Sequence, residues 1–144
     1  MTYHSGASSG WVDGLVREYR HGRPVVFLFD YDGTLTPIVR HPSLAFLPAT
    51  TRELLAGLTS LPDVSAAVLS GRGLDEVKSR VGLEDLYFAG SGGLEIDLRG
   101  DRRGYPGCAE FEHTLNAVHE HLLDPLRSFP GTWVERKPAA LAIH

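Results

Sequence analysis

A single cysteine, Cys108, stands in a chain of 144 residues, so no internal disulfide can staple the fold, and a reducing compartment suits it. No apolar run approaches the roughly 20 residues that a membrane helix needs. Residues 1–10 hold no apolar stretch of the kind a secretory signal carries, and they read as a disordered leader. Neither sign of charge dominates. Fourteen Lys and Arg against 18 Asp and Glu leave a net −4, without the basic excess of a general nucleic-acid binder. The basic residues are scattered, so no polybasic tail for anionic lipid is present. Neither nucleic acid nor membrane is therefore expected as a partner, and the cytoplasm is the expected location. No internal repeat or low-complexity tract appears. What remains is an ordinary globular composition, 42% hydrophobic and 22% charged, long enough for one real core.

Against that background one run is unusual. Val25-Val26-Phe27-Leu28-Phe29-Asp30-Tyr31-Asp32-Gly33-Thr34-Leu35-Thr36 carries two carboxylates, one residue apart, from an apolar strand into a tight Gly-Thr turn. Like charges side by side at a buried strand end are costly to desolvate. A hard divalent cation holding an anionic substrate would neutralise them, which points to phosphate chemistry with Mg²⁺ at Asp30 and Asp32. Asp30, at the strand end, is the candidate nucleophile, forming an aspartyl-phosphate. Asp32 is the candidate general acid toward the leaving oxygen, then the base for the hydrolytic water. Gly33 lets the backbone approach the phosphate, and the amides and hydroxyl around Thr34 can donate to its oxygens.

The rest of the chain supplies a setting for that pair. A short helix is expected over Trp11–Arg20, with Trp11, Leu15 and Tyr19 on one face. Val25–Phe29 has the continuous apolar pattern of a strand covered on both faces. A Pro-rich loop (Pro37, Pro42, Pro48) leads to a helix starting near Thr50, with Leu54, Leu55, Leu58 and Leu61 at helical spacing. Val64–Leu69 is a second strand, Leu74, Val77 and Val81 mark a helix closed near Gly82, and Leu86–Ala89 is a third strand. This alternation is the pattern of a doubly wound parallel sheet, in which ligands sit beyond the carboxyl ends of the strands. Asp30, Ser70 and Gly90 all fall at such ends. Beyond them, Leu94–Leu98 alternates and Arg99–Arg103 is turn-like. A long helix is expected from about Ala109 to Phe129, with Phe111, Leu115, Val118, Leu122 and Leu126 inward and Pro125 kinking or ending it. Thr132–His144 reads as two strands parted at Pro138.

Asp30-Tyr31-Asp32-Gly33-Thr34-Leu35 resembles the first motif of the haloacid-dehalogenase-like (HAD) phosphohydrolases. Ser70, in Val68-Leu69-Ser70-Gly71-Arg72, is similar to their second motif, whose hydroxyl bonds a phosphate oxygen. Further features resemble the trehalose-6-phosphate phosphatases within that superfamily. They are Pro37-Ile38 and Pro42 downstream of the acids, Tyr87-Phe88-Ala89-Gly90-Ser91-Gly92-Gly93-Leu94-Glu95-Ile96, and Val134-Glu135-Arg136-Lys137 followed by Ala142-Ile143-His144. The likeness spans about Pro24 to His144, with Gly92 standing where the family has His. It implies a HAD-like α/β core with a parallel sheet over residues 23–99, after a leader and short helix over 1–22. Part of an inserted α+β cap follows over 100–144. It also implies Mg²⁺ as cofactor, trehalose 6-phosphate as substrate, and catalytic roles for Asp30, Asp32 and Ser70. Gly33, Thr34, Gly71, Arg72, Glu95, Glu135 and Lys137 are the implied substrate contacts. Glu135 and Lys137, alternate along one strand, face the same side.

The resemblance also implies a later Lys and an acidic Gly-Asp-Asp stretch that this sequence does not contain. Lys137, in the cap, does not stand for that Lys. The expectation is an N-terminal fragment with one sheet edge unpaired. Competing readings are a phosphatase of another sugar phosphate, such as glucosylglycerol phosphate, and a silent sugar-phosphate-binding or regulatory module. His113, His119 and His121 read as solvated helix positions, Cys108 as an unactivated loop residue, and Trp11 and Trp133 as packing residues.

Overall fold

The computed structural model describes residues 9–137 and 140–144. The expected leader lies outside these up to residue 8, and Ser9 and Gly10 already open helix α1 (Ser9–Arg20). Trp11, read as a packing residue, is instead exposed on that helix. Among the described residues no helix is long and apolar enough to cross a membrane.

The architecture is α/β. Strands β1 (Val25–Asp30), β2 (Val64–Leu69) and β3 (Tyr87–Gly90) run parallel, joined through helices α2 (Ala49–Thr59) and α3 (Leu74–Val81). The register pairs Val25 with Val64 and Asp30 with Leu69, then Leu69 with Ala89, so all three carboxyl ends meet at one edge. Helix α3 shows why this segment folds as it does. Leu74, Val77 and Val81 form one buried stripe, Asp75 and Glu76 sit in the first turn, and Lys78 and Arg80 in the last. Gly82 then takes the left-handed conformation (φ 65°) and donates its N–H to the Lys78 carbonyl, which ends the helix.

Both crossovers step the sheet in the same direction, β1 to β2 to β3. Connections of one hand then set both helices on one face. Leu55 of α2 and Leu74, Val77 and Val81 of α3 accordingly share a single core with Ala66, Val68 and Phe88. Among the described residues nothing covers the other face, which corrects the expectation of a β1 covered on both sides. Val26 and Leu28 are 65% and 67% exposed, while Phe27 and Phe29 stack against the core with ring centroids 5.7 Å apart. Among the described residues β1 pairs with β2 alone and forms one edge of the sheet.

The segment expected as a turn is a hairpin. Strands β4 (Glu95–Leu98) and β5 (Asp101–Gly104) add antiparallel to β3, with Arg99 (φ 56°) and Gly100 (φ 99°) both left-handed at the tip. Positive φ at both central residues matches the right-handed twist of the strands. Arg-Gly is not the usual Asn-Gly signal, and β5 is Asp-Arg-Arg-Gly, so composition hides both elements. Asp97 fixes the hairpin from inside: its carboxylate, buried beneath α3, accepts from the Gly100 amide at 2.6 Å and pairs with Lys78.

Beyond Gly104, helix α4 (Cys108–Leu126) packs on a two-stranded antiparallel sheet, β6 (Val134–Arg136) and β7 (Leu141–Ile143). Cys108 opens this helix rather than lying in a loop, and its side chain is outside the described region, as is Pro138. Leu115, Leu122 and Leu126 are partly buried, but Phe111 and Val118, expected inward, are exposed. A two-stranded sheet is too narrow to cover a helix of 19 residues along its whole stripe. Pro125 sits one residue before the helix end; it cannot give the bond that an N–H there would make to the His121 carbonyl, and the helix stops at the next residue.

Two predictions test this packing. A Cβ on Gly90 would lie 2.4 Å from the Leu74 amide nitrogen, because the end of β3 runs directly against the start of α3. Gly90→Ala is therefore expected to destabilise by about 1–3 kcal/mol, read as a lower urea midpoint at unchanged slope. The Lys78 hydrogen bond, aided by the Gly100 amide, holds the Asp97 carboxyl below its ordinary value. A depressed folded value means its contribution is complete above the unfolded value of about 3.9 and is lost as pH falls through the folded one. The stability gap between the parent and Asp97→Asn should thus be flat above about pH 5 and shrink on acidification. A gap that widens on acidification would contradict the assigned pair.

Candidate active site

The end of β1 sorts its side chains by the two-residue period of a strand. Tyr31 turns inward and is fully buried, which leaves Asp30 and Asp32 outward and exposed at the carboxyl edge. Tyr31 anchors the turn: its hydroxyl donates to the Ala45 carbonyl at 3.1 Å, and its own carbonyl accepts from Leu35, from Thr36 and from the Thr36 hydroxyl. Burial raises its phenol above the ordinary tyrosine value. Gly33 is left-handed (φ 86°), and a Cβ there would meet Ile38 at 3.2 Å. The left-handed backbone therefore favours glycine here, and a side chain would also have to push Ile38 aside. The Thr34 hydroxyl donates to Asp30 at 3.4 Å.

Ser70 ends β2 beside this turn. It is buried, donates its backbone N–H to the Ala89 carbonyl at 2.9 Å, and accepts the Arg72 amide on its hydroxyl at 3.1 Å. Arg72 is the hub of the site. Only 4% exposed, it grips Asp32 with two parallel bonds, Nε to Oδ2 at 2.8 Å and Nη2 to Oδ1 at 2.7 Å. Nη2 also donates to the Pro42 carbonyl at 2.7 Å, Nη1 pairs with Glu76 on α3, and the guanidinium stands 5.5 Å from the centre of the Tyr31 ring. The fork on Asp32 is the main reason its basicity is raised still further.

Across from these residues stands one face of the β6–β7 sheet. Trp133, Glu135 and Lys137 share it by alternation, and His144 joins them opposite Trp133 through paired backbone bonds of 3.0 and 3.2 Å. His144 Nε2 donates to Glu135 at 2.9 Å, and Lys137 Nζ lies 3.4 Å from the same carboxylate. Burial pushes the Glu135 carboxyl up, but these cationic donors together outweigh it and hold it below the ordinary value. Lys137 also reaches the core, donating to the Gly71 carbonyl at 2.8 Å. Between the two walls lies an open cavity of about 520 Å³, lined among others by Asp32, Gly33, Arg40, Arg72, Glu135 and Lys137.

Asp32, Gly33, Gly71, Arg72, Glu135 and Lys137 line this cavity, whereas Asp30, Thr34 and Ser70 stand at the same sheet edge outside its lining, and two residues differ further. Arg72, expected to touch substrate, spends its donors on Asp32, Pro42 and Glu76. Glu95, also expected at the substrate, is turned onto the Ser91 hydroxyl (2.6 Å) and the Leu74 amide at the start of α3 (3.4 Å), and it does not line the cavity. Gly92 is left-handed (φ 69°) and open to solvent. Arg40 lines the cavity without having been singled out, since a lone Arg between Val39 and His41 carries no motif. Among the described residues no three His, Cys, Asp or Glu side chains converge as a metal cluster. A Mg²⁺ ion that keeps several waters beside a phosphate fits the Asp30 carboxylate together with the Asp32 backbone carbonyl, since both Asp32 side-chain oxygens accept from Arg72.

Removing the hub should be felt in the fold itself. Arg72→Met strands the Pro42 carbonyl and releases both acids, with an expected loss of about 1–3 kcal/mol in urea unfolding. Arg72→Lys restores the charge without the fork and should recover only part of that loss. Full recovery by Lys would mean that charge alone, not the fork, is what matters.

A family model described as trehalose-phosphatase matches residues 28–144. The chain is 38% identical to a trehalose-phosphate phosphatase of Mycobacterium bovis over 94% of its own length and 33% of that protein. It is 30% identical to trehalose-phosphate phosphatase B of Arabidopsis thaliana, over 85% of this chain and 35% of the relative. Among solved structures it resembles the C-terminal domain of the C. albicans trehalose-6-phosphate phosphatase, with a TM-score of 0.76 and 26% identity over 92% of this chain and 46% of that one. The chain spans about a third of the length of the curated relatives it matches.

Proposed function

Since the chain belongs to the trehalose-phosphatase family, we propose that its cavity carries the hydrolysis of trehalose 6-phosphate to trehalose and phosphate. The observation that carries this reading is the pair Asp30 and Asp32, exposed at the end of β1, with Asp32 faced across the cavity by Glu135 and Lys137. In this reading an Asp30 oxygen attacks phosphorus, forming an aspartyl-phosphate as the bond from phosphorus to the sugar oxygen breaks. Asp32 gives its proton to that leaving oxygen and then takes one from the water that splits the acyl phosphate, which returns Asp30 and frees phosphate. Both oxygens of Asp32 now accept from Arg72, so proton delivery requires the side chain to turn out of the fork. Ser70, the Gly33 amide and Thr34 orient the phosphoryl oxygens, while Glu135 and Lys137 bind sugar hydroxyls. Asp30 and Asp32 would hold Mg²⁺, whose charge, when bound, offsets that of the phosphate and the nucleophile. A cytoplasmic location belongs to the same reading, motivated by the single cysteine.

Phosphate release from trehalose 6-phosphate with Mg²⁺, by a protein carrying this sequence over the full length of its relatives, tests it; the 144-residue chain alone is expected to turn over little. Release should exceed that from glucose 6-phosphate or glucosylglycerol phosphate, and Asp30→Asn should lower it by at least about a hundredfold. Indifference to the sugar would defeat the substrate assignment. No Asp30-dependent release at all would leave a binding or regulatory module as the better account.

A further inference from the structure

Trp133 lies between two imidazoles that come from opposite walls of the cavity. On one side is His41, from the core loop that follows β1, with ring centroids 5.1 Å apart and planes 20° from parallel. On the other is His144, its cross-strand partner, at 4.9 Å and 16°. The indole keeps 37% of its surface exposed, and the two rings give it a task besides lining the cavity. Among the described residues, contacts that tie the β6–β7 face to the core include the Trp133 ring on His41 and the Lys137 ammonium on the Gly71 carbonyl (2.8 Å). Glu135 stands between these points on the same strand, so fixing both ends fixes its height above Asp32.

We infer that His41 is a positioning residue: by stacking on Trp133 it docks the β6–β7 unit onto the core and so sets the Glu135–Lys137 pair over the cavity. Its consequence for ligand binding rests on the function proposed above; the docking itself does not. His41 has a second, purely local role, because its Nδ1 accepts the Ser43 amide at 3.2 Å and caps the short turn Pro42–Leu44. The two roles separate by substitution. Asn at this position keeps the cap and loses the stack, whereas Phe keeps the stack and loses the cap.

The test uses the 144-residue chain and proton NMR of its aromatic rings. The parent should show nuclear Overhauser contacts between the His41 and Trp133 rings, and His41→Phe should retain the ring contact. His41→Asn should abolish it and move the amide signals around Gly71 and Lys137. In a titration with trehalose 6-phosphate, His41→Phe should match the parent, while His41→Asn should bind roughly three- to tenfold more weakly, the range an aromatic pair supplies. Inorganic phosphate should bind all three alike. Absence of the ring contact in the parent overturns the inference, as does a His41→Phe protein that behaves like His41→Asn. If the parent ignores trehalose 6-phosphate while the ring contact and the Gly71 signals respond as stated, the functional reading falls and the docking stands.

Discussion

The Arg72 guanidinium is the constraint on which the site depends. It ties the acid-bearing turn through Asp32 and the Pro-rich loop through Pro42, both distant from it in sequence, to α3 through the neighbouring Glu76. A buried cation is costly unless its donors are satisfied, and here the satisfaction comes from groups that must all be held in place to provide it. The same residue receives the Ser91 amide on its carbonyl at 2.6 Å and gives its own amide to Ser70, so the carboxyl ends of β2 and β3 are tied to it as well. Planar and bidentate, the guanidinium fixes the rotation of Asp32, which a point charge could not do.

Around this hub the structure divides its work between two layers. The core offers acids and backbone donors at one edge of a parallel sheet, where strand register alone brings Asp30, Ser70 and Gly90 together. The smaller β6–β7 unit offers an alternating face of Trp133, Glu135 and Lys137 that closes the cavity from the other side. The sheet is sided as well. Its inner face holds the hydrophobic core beneath α2 and α3, while Val26, Leu28, Leu69, Ile96 and Leu98 lie along the outer one. Apolar surface of that kind on a continuous sheet face is what proteins normally cover.

Much of this was legible without coordinates. The strands at Val25 and Val64, the stripe of α3 and its Gly82 stop follow from local periodicity and capping, which act within a few residues. Less legible were the hairpin from Glu95 to Gly104 and the true occupation of Glu95 and Arg72. An Asp-Arg-Arg-Gly strand has no intrinsic preference for a sheet; pairing with β4, and Asp97 buried against Lys78, make it one. Glu95 sits in a familiar motif, yet the nearest donors to its carboxylate are Ser91 and the first amide of α3.

By itself, then, the sequence determined the chemistry on offer: paired acids after an apolar strand, a Gly-Thr turn, and a serine at the next strand end. These are one-dimensional facts, set by side-chain type and by periods of two and 3.6 residues. Only the tertiary structure decided which charges meet. Arg72 reaches Asp32 across 40 positions of sequence and Lys137 reaches the Gly71 carbonyl across 66, and no local propensity encodes either encounter. Partner choice for a long cation depends on which acceptors the packed chain leaves within its reach, and that is settled only when strands and helices have closed around it.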